Sequence, residues 1–79
     1  MNVYFFTFRS ITLAQRGEGV LPGATLSRTP RWMEERGCGY SLRIRTDDPA
    51  RWAEALRRRG IEFRKVYRVV EDSVEEVAV

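Results

Sequence analysis

A chain of 79 residues, 43% hydrophobic and 32% charged, fits one small globular domain and excludes a disordered chain. A single cysteine excludes an internal disulfide, and one cysteine without any histidine predicts neither a metal site nor a bound cofactor. The net charge of +3 divides into +7 for a domain at residues 1–70 and −4 for an acidic tail at 71–79. We therefore expect the basic body to attract an anionic partner, with the tail able to cover part of that surface.

The start of the sequence does not resemble a secretory signal. Met1 leads directly into the apolar segment at residues 3–8, without a basic region or a small-residue cleavage site. No apolar run approaches the length of a membrane span. We expect a cytoplasmic protein with a reduced thiol and no membrane contact. A core this small without crosslinks also favours self-association as a homodimer.

The chain begins with a predicted strand and a weak helix. Residues 3–8 are rich in aromatic and β-branched side chains, which is typical of a buried strand. Ser10 or Thr12 is the expected N-cap of the helix that follows. Gly17 and Gly19 each lower its propensity by about 1 kcal/mol relative to alanine. The same glycines allow the helix to lie close to a sheet.

The middle of the chain predicts two strands separated by a charged loop. Residues 24–28 form a short strand, and residues 31–36 favour one or two helical turns. The next strand, at residues 40–45, alternates in polarity. This alternation indicates a sheet with one packed face and one face in water. The packed face is predicted to carry Tyr40, Leu42 and Ile44, and the wet face Ser41, Arg43 and Arg45.

The last part of the chain contains the strongest helix signal. Asp48 is a good N-cap, Pro49 suits the first helical position, and Gly60 suits the position after the helix ends. Residues 63–70 predict a final strand. The tail has valines at helical spacing but is too short to form a helix unaided. The order β-α-β-β-α-β predicts an α+β, ferredoxin-like split βαβ sandwich, with two helices on one face of a four-stranded antiparallel sheet.

The stretch RGCGY contains the single cysteine, Cys38, between Gly37 and Gly39. A lone cysteine often packs as a small apolar side chain, and this interpretation stays open. The two glycines, however, leave the sulfur unshielded and let a partner approach. Arg31 and Arg36 would stabilise a thiolate, although the C-terminus of a helix ending there would oppose one. The local composition favours a presented sulfur over a packed one.

Several segments together resemble a small bacterial family of selenium/sulfur carrier protein-like domains. They are the Thr-Pro-Arg at 29–31, the Gly-Cys-Gly at 37–39 with its alternating strand, the Phe-Arg-Ser at 8–10 and the turn at 60–62. The resemblance covers about residues 4–70. It implies that the loop cysteine carries sulfur or selenium, as a persulfide or perselenide, between a donor protein and an acceptor protein.

On this interpretation Cys38 is the reacting residue, and its surround consists of Arg31, Arg36, Gly37 and Gly39. A desulfurase would place a sulfane sulfur on the thiolate, and an acceptor thiolate would remove it. This chemistry depends on thiolate fraction and access, as in thiol–disulfide exchange. It requires no general base, which suits a chain without histidine. The protein would be a transfer protein and not an enzyme with its own turnover.

RNA binding is the second hypothesis. Arg36 to Tyr40 matches four of the first five positions of the RNP1 segment of RNA-recognition motifs, and Val3 to Phe5 is similar to RNP2. Cys38 stands where a stacking ring is required, and Arg43 replaces the final aromatic residue. Each missing ring costs roughly 1–3 kcal/mol of base stacking, so nucleic acid ranks below the carrier.

The third hypothesis is a dimerising interaction module without chemistry. Its contact face would receive the acidic tail of a neighbour. A Cys38→Ser variant should leave such a module fully functional. The residues assigned to the face are Ser41, Arg43 and Arg45 with some of Arg64, Val66 and Arg68.

Overall fold

The computed structural model of the protein describes residues 2–29, 39–71 and 73–79. Within these residues the elements run in the order β1 (Asn2–Phe8), α1 (Ile11–Val20), β2 (Thr25–Arg28), β3 (Tyr40–Thr46), α2 (Pro49–Arg58), β4 (Val66–Val70) and β5 (Ser73–Val77). The helical turns expected at residues 31–36 lie outside the described residues. Neither of the two described helices, at ten residues each, has the length and hydrophobicity to cross a membrane.

The five described strands form one antiparallel sheet in the order β2-β3-β1-β4-β5. Helix α1 connects β1 to β2, and β3 lies between these two strands in the sheet. Helix α2 connects β3 to β4, and β1 lies between those two. This interleaving has the pattern of the split βαβ sandwich that the sequence predicts.

The prediction of four strands is wrong, because the described part of the acidic tail forms a fifth. β5 pairs antiparallel with β4 along its whole length, from Val70↔Ser73 to Val66↔Val77. The tail alone could not bury enough surface to fold, but the edge of β4 offers unpaired backbone groups that a neighbouring strand satisfies. Val77 then packs against the core on the helix side of the sheet.

Both helices lie on the face of the sheet that carries the even-numbered side chains of β1 and β3. At Gly17 of α1, an added Cβ would lie within 3.4 Å of Leu42 on β3, Phe8 on β1 and Leu56 on α2. This face therefore holds the core. Its buried members are Tyr4, Phe6, Phe8, Ala14, Leu21, Leu42, Ile44, Ala53, Leu56, Ile61 and Val66.

The helix ends follow from local side-chain chemistry. Ser10 caps α1 by accepting a hydrogen bond from the Leu13 amide at 3.3 Å, so the alternative cap, Thr12, lies inside the helix. Asp48 caps α2 in the same way. Gly60 has a φ of 69° and ends α2 as its sequence position predicts. Its amide and the next one donate back to carbonyls of the last turn, which is the Schellman arrangement.

Candidate functional site

The structure describes the base of the loop that contains the cysteine. Arg28, the last residue of β2, pairs with Tyr40, the first residue of β3. The Thr29 amide then donates to the Gly39 carbonyl at 3.0 Å, which extends the ladder by one step. Gly39 is buried, and Cys38 is bonded to it directly. The loop therefore starts and ends at one end of the sheet, which we call the loop end.

Four of the predicted site residues lie outside the described residues: Cys38, Arg31, Arg36 and Gly37. Gly39 is the one that the structure describes. The assignment of the reacting residue and its surround therefore stays a prediction, and the described geometry concerns the scaffold on which that loop is mounted.

Two buried hydroxyl groups lie beside the base of the loop. Ser41 is fully buried and Thr29 is 4% exposed, and neither hydroxyl has a hydrogen-bond partner among the described residues. The prediction of Ser41 in water is wrong, although it lies on the sheet face away from the helices. In the sheet register Ser41 pairs with Thr7 of β1, whose own hydroxyl bonds to the backbone of Lys65. The base of the loop thus holds two buried hydroxyl groups to which no described residue bonds.

The N-terminus of α1 lies at the same end of the sheet. Phe8 at the end of β1 pairs with Tyr40 at the start of β3, so Arg9 and Gly39 leave the sheet side by side. Ser10 caps the helix directly afterwards. The start of an α-helix carries about half a positive charge, which favours an anion nearby. The N-terminus of α1 was not among the predicted features of the site, although the split βαβ order places it at this end of the sheet.

Basic side chains collect at the loop end. β1, β2 and α2 all finish there, and β4 begins there, since the Arg64 amide donates to the Thr7 carbonyl at 2.7 Å. At or next to these strand and helix ends lie seven exposed basic residues: Arg9, Arg28, Arg57, Arg58, Arg59, Arg64 and Lys65. The described acidic residues that lie among them or bond to them are Glu54, Glu62 and Glu76, so the loop end keeps a net positive charge.

The acidic tail neutralises part of β4. Glu75 accepts two hydrogen bonds from the Arg68 guanidinium, and Glu76 lies 3.8 Å from the Lys65 ammonium. The hydrogen bonds and the charge of Glu75 raise the pKa of Arg68. The tail thus covers some of the positive body, as the charge distribution predicts, but most of the basic residues of the loop end lie on other elements.

A cavity of about 480 Å³ opens next to the loop end, between the end of α2 and the start of β4. Phe63 in its wall packs edge-on against Phe6, with 5.3 Å between the ring centres. The Arg57 guanidinium lies 5.2 Å from the centre of the Phe63 ring. Arg57 also donates to the Val79 carbonyl at 2.7 Å. These contacts hold one arginine of the loop end in place.

A second cavity, of about 510 Å³, lies at the opposite end of the sheet. Arg45 and Trp52 are among its lining residues. Gly39 and Arg45 are six residues apart along one strand, a distance of roughly 20 Å. This cavity is therefore far from the base of the cysteine loop.

The tyrosines that suggested an RNA platform do not lie on the open face of the sheet. Tyr4 is 5% exposed and belongs to the core under the helices, and Tyr40 packs against the same core. The open face instead carries Phe5 and Tyr67 as register partners, with Tyr67 only 9% exposed. The described sheet therefore lacks the pair of exposed rings that base stacking requires.

The fold and the loop define a class of protein: a small α+β domain with its one cysteine between β2 and β3. Over residues 3–68 the chain matches the family described as "Putative Se/S carrier protein-like", and it belongs to this family. The match runs from β1 into β4 and includes Cys38, which confirms the resemblance drawn from the sequence. No curated protein and no solved structure matches the chain.

Proposed function

We propose that the protein is a cytoplasmic carrier that holds sulfane sulfur or selenium on Cys38 and transfers it between a donor and an acceptor protein. The observation that carries this proposal is the family match across Cys38, the only cysteine of the chain. The described scaffold supports it, because the loop is mounted where a helix N-terminus and basic side chains favour an anion. The protein acts in transfer and has no turnover of its own.

The transfer consists of two displacements at sulfur. The Cys38 thiolate attacks the outer sulfur of a donor persulfide, the donor S–S bond breaks, and its electron pair leaves with the donor thiolate. Cys38 then holds the persulfide until an acceptor thiolate attacks the same outer atom and releases the Cys38 thiolate. No net oxidation occurs, and a perselenide follows the same scheme. The rate depends on how much Cys38 is ionised and how easily a partner reaches it.

The surround has two tasks in this scheme. Arg31, Arg36 and the start of α1 favour the thiolate and the persulfide anion over their protonated forms. Gly37 and Gly39 contribute no side chain that could shield the sulfur from a partner.

Mass spectrometry of the intact protein tests the proposal. After incubation with a cysteine desulfurase and cysteine, we expect a mass gain of one sulfur atom that a reductant removes. The Cys38→Ser variant is the matched control and should show no gain. A wild-type protein that stays unmodified, with a thiol that also fails to react with a neutral disulfide, would refute the carrier.

Self-association is a separate part of the proposal. The open face carries a row of half-buried apolar side chains, Val3, Val69 and Val74, that are register partners across β1, β4 and β5. A second copy covering this row would enlarge the small core. Analytical ultracentrifugation should show a dimer that a Val69→Lys substitution dissociates, and a wild-type monomer at high concentration would contradict it.

A further inference from the structure

We infer that the protein receives its donor or acceptor protein on the loop end, and that the partner presents an acidic surface around its reacting cysteine. This inference rests on the proposed carrier function and specifies the partner. The docking surface is formed by the ends of the strands and helices that meet at the loop end, and carboxylates of the partner would bind to it.

The charges of the described scaffold are distributed unevenly between the two ends of the sheet. The loop end carries seven basic residues, and the described carboxylates that lie among them or bond to them are Glu54, Glu62 and Glu76. The opposite end mixes Arg45 and Arg51 with acidic residues of the β3–α2 connection, the end of α1 and the β4–β5 turn. These acidic residues are Glu18, Asp47, Asp48 and Glu71.

The cysteine loop adds no net charge of its own. Residues 30–38 contain two arginines and two glutamates. The positive potential at the loop therefore comes from the scaffold. Arg28 pairs with Tyr40 at the start of β3, and Arg9 follows Phe8, which pairs with Tyr40 from the other side. The sheet fixes the backbone of Arg28 and of Phe8, the residue before Arg9, so the fold keeps both charges near the base of the loop.

Local ion pairs offset only part of this charge. Arg58 bonds to Glu54 at 3.1 Å and Lys65 lies 3.8 Å from Glu76. Both pairs are exposed, and exposed pairs are weak enough to exchange for a partner's carboxylates. Arg9 and Arg28 lie on other elements, closest to the base of the loop.

An acidic protein surface fits this arrangement better than a nucleic acid. Carboxylates around a partner's cysteine would steer the two thiols together and raise the association rate. A single-stranded RNA would find the same charges but no pair of exposed rings on the described open face.

Three disulfide reagents of different charge measure the potential at Cys38 without a known partner. Dithiobis-nitrobenzoate is dianionic, dithiodipyridine is neutral and cystamine is dicationic. A change in the reactivity of the thiolate alters all three rates alike, so the ratio of the anionic to the cationic rate reports the local charge. At about 10 mM ionic strength screening is weak, and we expect wild-type Cys38 to prefer the dianion.

Two double variants with the same change in net charge separate local from global effects. Arg9→Glu with Arg28→Glu reverses charge at the loop end, and we expect it to lower the rate ratio roughly tenfold. Arg45→Glu with Arg51→Glu is the matched control at the opposite end, about 20 Å away, and should lower the ratio less than about twofold. Circular dichroism verifies that both variants are folded.

Persulfide transfer from a cysteine desulfurase then tests the docking itself. We expect the wild-type rate to fall as salt rises and the loop-end variant to be slow at low salt, with the control close to wild type. A slow reaction with all three reagents would refute the carrier and the docking surface together. If Cys38 reacts normally with the neutral reagent but the ratio of the anionic to the cationic rate is the same in both double variants, the docking surface alone is overturned. Tight binding of a single-stranded RNA oligonucleotide at about 150 mM salt would also overturn it and favour nucleic acid.

Discussion

Gly17 and Gly19 lie in the same helix, but replacing each by alanine is expected to change the free energy of unfolding in opposite directions. A Cβ at Gly17 would lie 2.9 Å from Leu42 Cδ1 and 3.2 Å from Phe8 Cζ, whereas a Cβ at Gly19 would meet nothing within 4 Å. Leu42 and Phe8 are fully buried, so any shift of either side chain must be accommodated by the surrounding core. The pair therefore isolates close packing from helix propensity.

The expected sizes follow from the two opposing terms. Either alanine gains about 0.5–1 kcal/mol of helix propensity. Overpacking at Gly17 costs about 1–3 kcal/mol, so Gly17→Ala should lower the free energy of unfolding by up to about 2.5 kcal/mol. Gly19→Ala should raise it by about 0.5–1 kcal/mol.

Guanidinium denaturation followed by circular dichroism measures both changes, with thermal melting as a second readout. Each kcal/mol should shift Tm by about 4–8 °C in a domain of this size. Equal stabilisation by both alanines would refute the reasoning, because it would mean that α1 does not approach β3 closely at Gly17.

Four further substitutions test local features of the fold by the same denaturation assay. Gly60→Ala should cost about 1–2 kcal/mol, because Gly60 has a φ of 69° and open space around it, so the penalty is purely conformational. Asp48→Ala should cost about 1 kcal/mol by removing the N-cap of α2, and an unchanged midpoint would contradict the cap. Glu71→Asn should stabilise the β4–β5 hairpin by about 0.5 kcal/mol, since asparagine tolerates the φ of 51° better than glutamate does. Ser41→Ala should raise stability by about 1 kcal/mol by removing a buried hydroxyl without a described partner, and a loss of stability would show that this hydroxyl is bonded.

The parts of the fold that the sequence predicts best are those with strong local signals. Asp48, Pro49 and Gly60 delimit α2 within one residue, because each has a specific backbone role at a helix end. The alternation of β3 likewise predicts which of its side chains reach the core, with Leu42 and Ile44 buried and Arg43 exposed.

The errors arise where a distant element decides the structure. The valines of the tail fit a helix or a strand equally well over so few residues, and the free edge of β4 selects the strand. Val66 and Arg68 pair with Phe6 and Tyr4 on the helix side of the sheet, so assigning them to the same face as Arg43 and Arg45 is wrong. The strand that contains both begins later than expected, at Val66, and sequence alone does not fix that register.

For the candidate site too, the sequence predicts what depends on local residues, and the strand order decides the rest. The sequence identifies Cys38 as the only thiol of the chain and therefore as the candidate carrier residue, but only the strand order shows which elements meet at the base of its loop. In a split βαβ sheet the end of β1, the start of α1, the end of β2 and the start of β3 must meet at one end. A loop between β2 and β3 therefore always lies beside a helix N-terminus. In this chain the residues at those ends are basic, so the fold itself directs positive potential to the loop that carries the cysteine.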